Sequence, residues 1–178
     1  MYVKAKKLAV AGLLAAFAAV LLVLSAMIET SSLFFIAAAS FCVGIVIREW
    51  GLGFGSGFWI ASTFVNLLVA PNKYYCGTYA AMGLYLLLSE ALWLWLADRS
   101  NVKRRTLILW IGKYVIFNTF YLPAVFFLPQ LLVAKKPSGM LWLVLVAAGQ
   151  VALFVYDRAY VYFQGMVWSK LRRRLMKE

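Results

Sequence analysis

The chain has 178 residues, of which 65% are hydrophobic and 13% charged, with no histidine, two cysteines and a formal net charge of +12. A soluble domain of this size carries about a quarter charged residues and no apolar run of about 20, so the composition is that of an integral membrane protein. Without histidine there is neither a Ser/His/Asp nor a Cys/His catalytic set, and a zinc or heme site is disfavoured; the chain reads as a non-enzyme with no cofactor and no bound metal.

The first apolar run, residues 8–28, follows Lys4, Lys6 and Lys7 and ends in small residues, as a secretory signal does. Signal cores run about 7 to 15 residues, whereas about 20 without a charge crosses a bilayer, so this is a retained first helix. It carries Ala11, Ala15 and Ala19 at i, i+4 and i+8, a flat strip that another helix can approach closely, whether from this chain or from a partner. Further runs follow at residues 33–47, 54–70, 78–97, 107–128 and 140–163. The prediction is an all-α, polytopic, six-helix membrane protein, a single domain over residues 1–178.

The basic residues orient it. With the N-terminus inside, thirteen lie in cytoplasmic segments, from Lys4 through Arg48, Lys103 and Arg105 to Lys177, and only Lys73, Lys135 and Lys136 lie outside. This positive-inside bias puts both termini in the cytoplasm. The same clustering at helix ends makes anionic membrane lipid, not nucleic acid, the partner of the excess charge. Cys42 and Cys76 fall toward opposite faces, too far apart for a bridge. The segment GLGFGSGFW, residues 51–59, lacks the Gly-Lys-Ser/Thr ending of a phosphate loop and reads as a turn followed by a closely packed helix start.

Four charges fall at membrane depth: Glu90, Lys113, Asp157 and Arg158. Glu90 and Lys113 each lie eight residues from the charges that end their helices, about 12 Å deep at about 1.5 Å per residue. Isolated charges there cost at least about 2.5 kcal/mol, so a Glu90–Lys113 pair is expected, with Asp157 and Arg158 completing a network or snorkelling to the interface. Such a set either fixes helix packing or serves a substrate.

The opposite half has aromatic and amide chemistry. Helix five carries Tyr114, Asn118 and Tyr121 on one face; helix four contributes Tyr79 and Tyr85 below the turn bearing Asn72; helix six contributes Trp142 and Gln150. Aromatic walls with a few amides and hydroxyls suit a small, partly polar ligand, and the expected substrate-binding set is Asn72, Tyr79, Tyr85, Asn118, Tyr121 and Gln150, converging on an outward cavity. Interfacial partitioning explains some of the tyrosines and Trp142, but not amides at mid-membrane.

A basic start followed by AVAGLLAAFAAV, six helices, an aromatic and polar outer half and no ATP site resemble the substrate-binding S components of energy-coupling factor (ECF) transporters. The stretches LLVAPNKYYCGTYAAMGLYLLLSEALW and GKYVIFNTFYLP are also similar to S-component-like bacterial membrane proteins, with Leu86 standing where that family carries proline. The resemblance implies capture of a vitamin or similar micronutrient at the bacterial cytoplasmic membrane. It also implies docking, through Ala11, Ala15 and Ala19, on a transmembrane coupling subunit served by two ATPases. A small autonomous carrier or channel and a ligand-free accessory subunit are the alternative functions.

Overall fold

A computed structural model describes residues 2–98, 104–127, 139–170 and 172. Arg99, Lys103, Lys135, Lys136, Arg173, Arg174 and Lys177, which carry part of the charge asymmetry, lie outside the described residues. The chain divides into two compact units, Met1–Lys103 and Arg104–Glu178.

The described residues form six long helices, each long and apolar enough to cross a membrane. In the first unit these are α1 (Tyr2–Met27), α2 (Ser32–Trp50), α3 (Leu52–Val69) and α4 (Lys73–Ala97), with a 3₁₀ turn at Glu29–Ser31. In the second they are α5 (Arg105–Phe127) and α6 (Gly139–Tyr162), the latter running on into a π-helical segment, Phe163–Trp168. The second sequence run, which looked short at residues 33–47, extends at both ends to 19 residues.

In the first unit α2 packs against α1, α3 and α4. Its nine residues from Ala39 to Ile47 are buried on every side, which a sequence apolar but for Ser40, whose hydroxyl is satisfied by the Ala37 carbonyl, permits. Helix α1 turns a ridge inward, with Ala11, Leu14, Ala18, Leu21, Leu22 and Ser25 all buried. The alanine strip is therefore divided: Ala11 belongs to the unit's own core, Ala15 and Ala19 are half-buried at its margin, and the small residues on the exposed face are Ala5, Ala9, Gly12 and Ala16. The reason is phase, since the ridge through residues 11, 14, 18, 22 and 25 is centred about 180° from the exposed stripe.

The α2–α3 connection is the single residue Gly51, at φ 88° and ψ 171°, a conformation that only glycine adopts without strain. Beyond it Gly55 lies against α2 so closely that an added Cβ would stand 2.2 Å from Ile47 Cγ1 and 3.1 Å from its Cα. Gly55→Ala is therefore expected to cost about 1 to 3 kcal/mol, whereas Gly12→Ala, which meets nothing within 4 Å, is expected to be near neutral. Thermal unfolding in detergent compares the two, and equal melting temperatures for both variants would contradict this packing.

Candidate functional site

Helices α3 and α4 meet along a polar seam. Trp59 Nε1 donates to the Ala80 carbonyl at 3.1 Å, the Ser62 and Tyr79 hydroxyls share a hydrogen bond of 2.8 Å, and Cys76 Sγ donates to the Thr63 carbonyl at 3.6 Å. These rungs run antiparallel, so the next one toward the turn sets Asn66 level with Lys73. The turn is fixed from both sides. Asn72 caps α4 by accepting from the Tyr74 amide at 3.0 Å, and Lys73 Nζ donates to the Leu67 and Ala70 carbonyls, placing a cation at the carbonyl end of α3.

Asn66 has 0% exposure, yet neither its amide nitrogen nor its amide oxygen has a hydrogen-bond partner, and the Thr63 hydroxyl one turn earlier is likewise buried and unpartnered. Among the described residues, several other helical hydroxyls are satisfied by the preceding turn. Thr78 and Thr119 donate to the carbonyls of Tyr74 and Val115 at 3.1 and 2.8 Å, and Ser25, Ser40 and Ser89 to carbonyls three residues back at 2.6 to 3.0 Å. Each buried group left unmade costs about 1 to 3 kcal/mol. Unpartnered donor and acceptor groups thus lie within one turn of α3.

The predicted ligand residues have other tasks. Tyr79, with 0% exposure, is bound to Ser62; Tyr85 is buried; Asn72 is spent on the cap. In the second unit the structure brings Asn118, Tyr121 and Gln150 together on the α5–α6 seam. Asn118 Nδ2 donates to Gln150 Oε1 at 3.2 Å and Gln150 Nε2 returns a bond to Asn118 Oδ1 at 2.8 Å, an amide pair read from both sides. Asn118 also donates to the Tyr114 carbonyl at 2.9 Å. The Tyr121 hydroxyl donates to the Leu145 carbonyl at 2.7 Å, its ring lying where Gly149 has no side chain to obstruct it. Trp142 stacks on Phe126 with ring centroids 5.2 Å apart.

The charge pairing differs from expectation. Glu90 is bound by Arg48, with Nη2 and Nε at 2.6 and 2.7 Å from Oε1, and Lys113 is bound by Asp157 at 2.6 Å. The predicted Glu90–Lys113 pair is replaced by one pair inside each unit. The cause is the register of α2 on α4: Val43 lies against Gly83, so Arg48, five residues on, comes level with Glu90, seven on. Arg158 takes a third course, its guanidinium lying 5.2 Å from the Trp110 ring centroid and 5.4 Å from that of Phe154.

Sequence reasoning passed over Asn66, Thr63 and Ser62, and counted Arg48 only as an interface charge. Trp59, Ser62 and Asn66, spaced i, i+3 and i+7 in an otherwise apolar run, were the available signal.

No known protein family, curated protein or solved structure matches the chain. The described residues define an all-α chain whose six helices, each long and apolar enough to cross a membrane, fit the class of multi-pass membrane proteins.

Proposed function

We propose that the chain is the substrate-capturing membrane subunit of an ATP-driven uptake system of the ECF type, with a vitamin or similar micronutrient as cargo. In this reading both termini lie in the cytoplasm of a bacterial cell and the α3–α4 turn faces outward. The observation that carries it is the buried, unpartnered Asn66 amide beside the Thr63 hydroxyl, one turn below that end of the bundle. Such a set suits a small neutral ligand that presents donors and acceptors together, and its hydrogen bonds would replace those the folded chain leaves unmade.

The chain carries no phosphate loop, so ATP hydrolysis falls to partner ATPases coupled through a membrane subunit. The docking face is α1, whose exposed side offers Ala5, Ala9, Gly12 and Ala16 with Ala15 and Ala19 at its edge. Ala15→Trp then blocks docking while ligand binding by the isolated chain survives.

The test is mass spectrometry of small molecules released from the purified protein, alone and co-expressed with an ECF module. A defined compound released from the wild type and lost in Asn66→Leu supports capture at this site. An empty wild type that still assembles with a membrane partner supports a ligand-free accessory subunit, a reading favoured by the mutual satisfaction of Asn118 and Gln150.

A further inference from the structure

Within the second unit, a pocket of about 130 Å³ is lined by Thr106, Trp110, Lys113, Asp157 and Arg158 among others. It opens beside a shallow, open apolar groove on the surface of α6, formed by Phe154, Val155, Ala159 and Tyr162, and Arg158 borders both. We propose that this pocket and the surface groove beside it are a binding site for one anionic glycerophospholipid, its headgroup phosphate held by Arg158 in the pocket and an acyl chain lying along the groove.

The charge balance points to an anion. Asp157 is neutralised by Lys113 at 2.6 Å, so the second cation of the cluster, Arg158, remains uncompensated. Arg158 forms no ion pair with a described carboxylate; its contacts are the faces of Trp110 and Phe154, which fix the plane of the guanidinium and leave its N–H edge available. A planar donor edge held by stacking recognises phosphate oxygens in two-pronged fashion.

Depth points to a lipid. Helices α5 and α6 pair antiparallel through Lys113–Asp157, Asn118–Gln150 and Tyr121–Leu145, and this register sets Arg158 about 10 Å along the axis from Arg105. Arg104 and Arg105 are exposed at the charged end of α5, where a membrane boundary falls. An arginine at that depth reaches the phosphate level with its side chain, and an exposed guanidinium in contact with hydrocarbon would otherwise carry a large desolvation cost. Basic pockets between helices just inside a boundary are where anionic headgroups lodge. The groove adjoining Arg158 supplies apolar surface that a free phosphate would not need.

The protein in a neutral detergent is titrated with dioleoylphosphatidylglycerol, dioleoylphosphatidylcholine, glycerol 3-phosphate and inorganic phosphate. The readouts are thermal unfolding and native mass spectrometry. Phosphatidylglycerol is expected to raise the melting temperature and to remain bound, the other three to do neither. Arg158→Gln is expected to weaken retention by about fivefold to tenfold, and Arg158→Lys to restore part of it, since charge returns without the stacked fork. Ala159→Trp, which fills the groove at an exposed position and leaves every charge in place, is expected to reduce retention as well. Equal effects of phosphatidylcholine and phosphatidylglycerol would overturn the proposal, as would full retention in both Arg158→Gln and Ala159→Trp. Stabilisation by inorganic phosphate matching that by phosphatidylglycerol would reduce the pocket to a simple anion site and refute the lipid assignment.

Discussion

Replacing Lys113 by methionine is expected to destabilise the folded chain by about 3 to 5 kcal/mol. Asp157, 3% exposed at its side chain, would keep its charge and lose the ammonium that lies 2.6 Å from it. The double variant Lys113→Met, Asp157→Leu removes both charges and is expected to recover most of that loss, because an apolar pair costs no desolvation at this depth. A coupling energy above about 1 kcal/mol in the thermodynamic cycle marks direct interaction; strictly additive effects would mean the two side chains do not touch. The Arg48–Glu90 pair is expected to show the same sign with a smaller size, since Arg48 is 41% exposed at its side chain and water or headgroups can take up part of the loss.

The second large effect is a difference of sign between two asparagines given the same substitution. Asn118→Leu strips Gln150 of both its bonds and leaves a half-buried amide unpaired, so it is expected to lower stability by about 1 to 3 kcal/mol. Asn66→Leu removes an amide that has no partner, exchanging two unmade hydrogen bonds for apolar contacts in a buried position. It is expected to raise the stability of the ligand-free protein by about 1 kcal/mol, the larger side chain offsetting part of the relief. Melting curves of the two variants, measured after small molecules have been exhausted by dialysis, decide it. A marked loss in Asn66→Leu would mean that the amide is satisfied within the chain, and the capture site would go with it.

Much of the architecture was legible because the signal is coarse. Six apolar runs of membrane length, broken by glycine, proline and charge, reappear as six helices, and only their ends moved. The polar partners were less legible, for a physical reason. Depth along a helix can be counted from a sequence, and the counts for Glu90 and Lys113 were equal, but pairing depends on which helices adjoin and in what register. Equal depth therefore suggested a pair, whereas the packing of α2 on α4 supplied Arg48 from a helix end. The same limit governs the amides. Asn118 and Gln150 were recognised as groups in need of partners, and proved to be one another's. Asn66, in the apolar run 54–70, was passed over, though burial without a partner makes it the more informative of the three. For the alanines, a spacing of four residues identifies a stripe but not the direction it faces, and roughly half a turn about the helix axis, about 150 to 180°, separates the buried ridge from the exposed small residues.

Helix α2 is enclosed along nine consecutive residues, Ala39 to Ile47, while the outward sides of α1, α5 and α6 expose Phe17, Ile111, Val151 and many like them. Lipid accepts any bulky apolar side chain in those outward places, whereas a neighbour seated on every side of α2 accepts only one shape. Over evolutionary time the chain is thus expected to drift fastest on its greasy exterior and hardly at all along α2. A distant descendant would be recognised by that inner stretch long after the outer faces had lost all likeness.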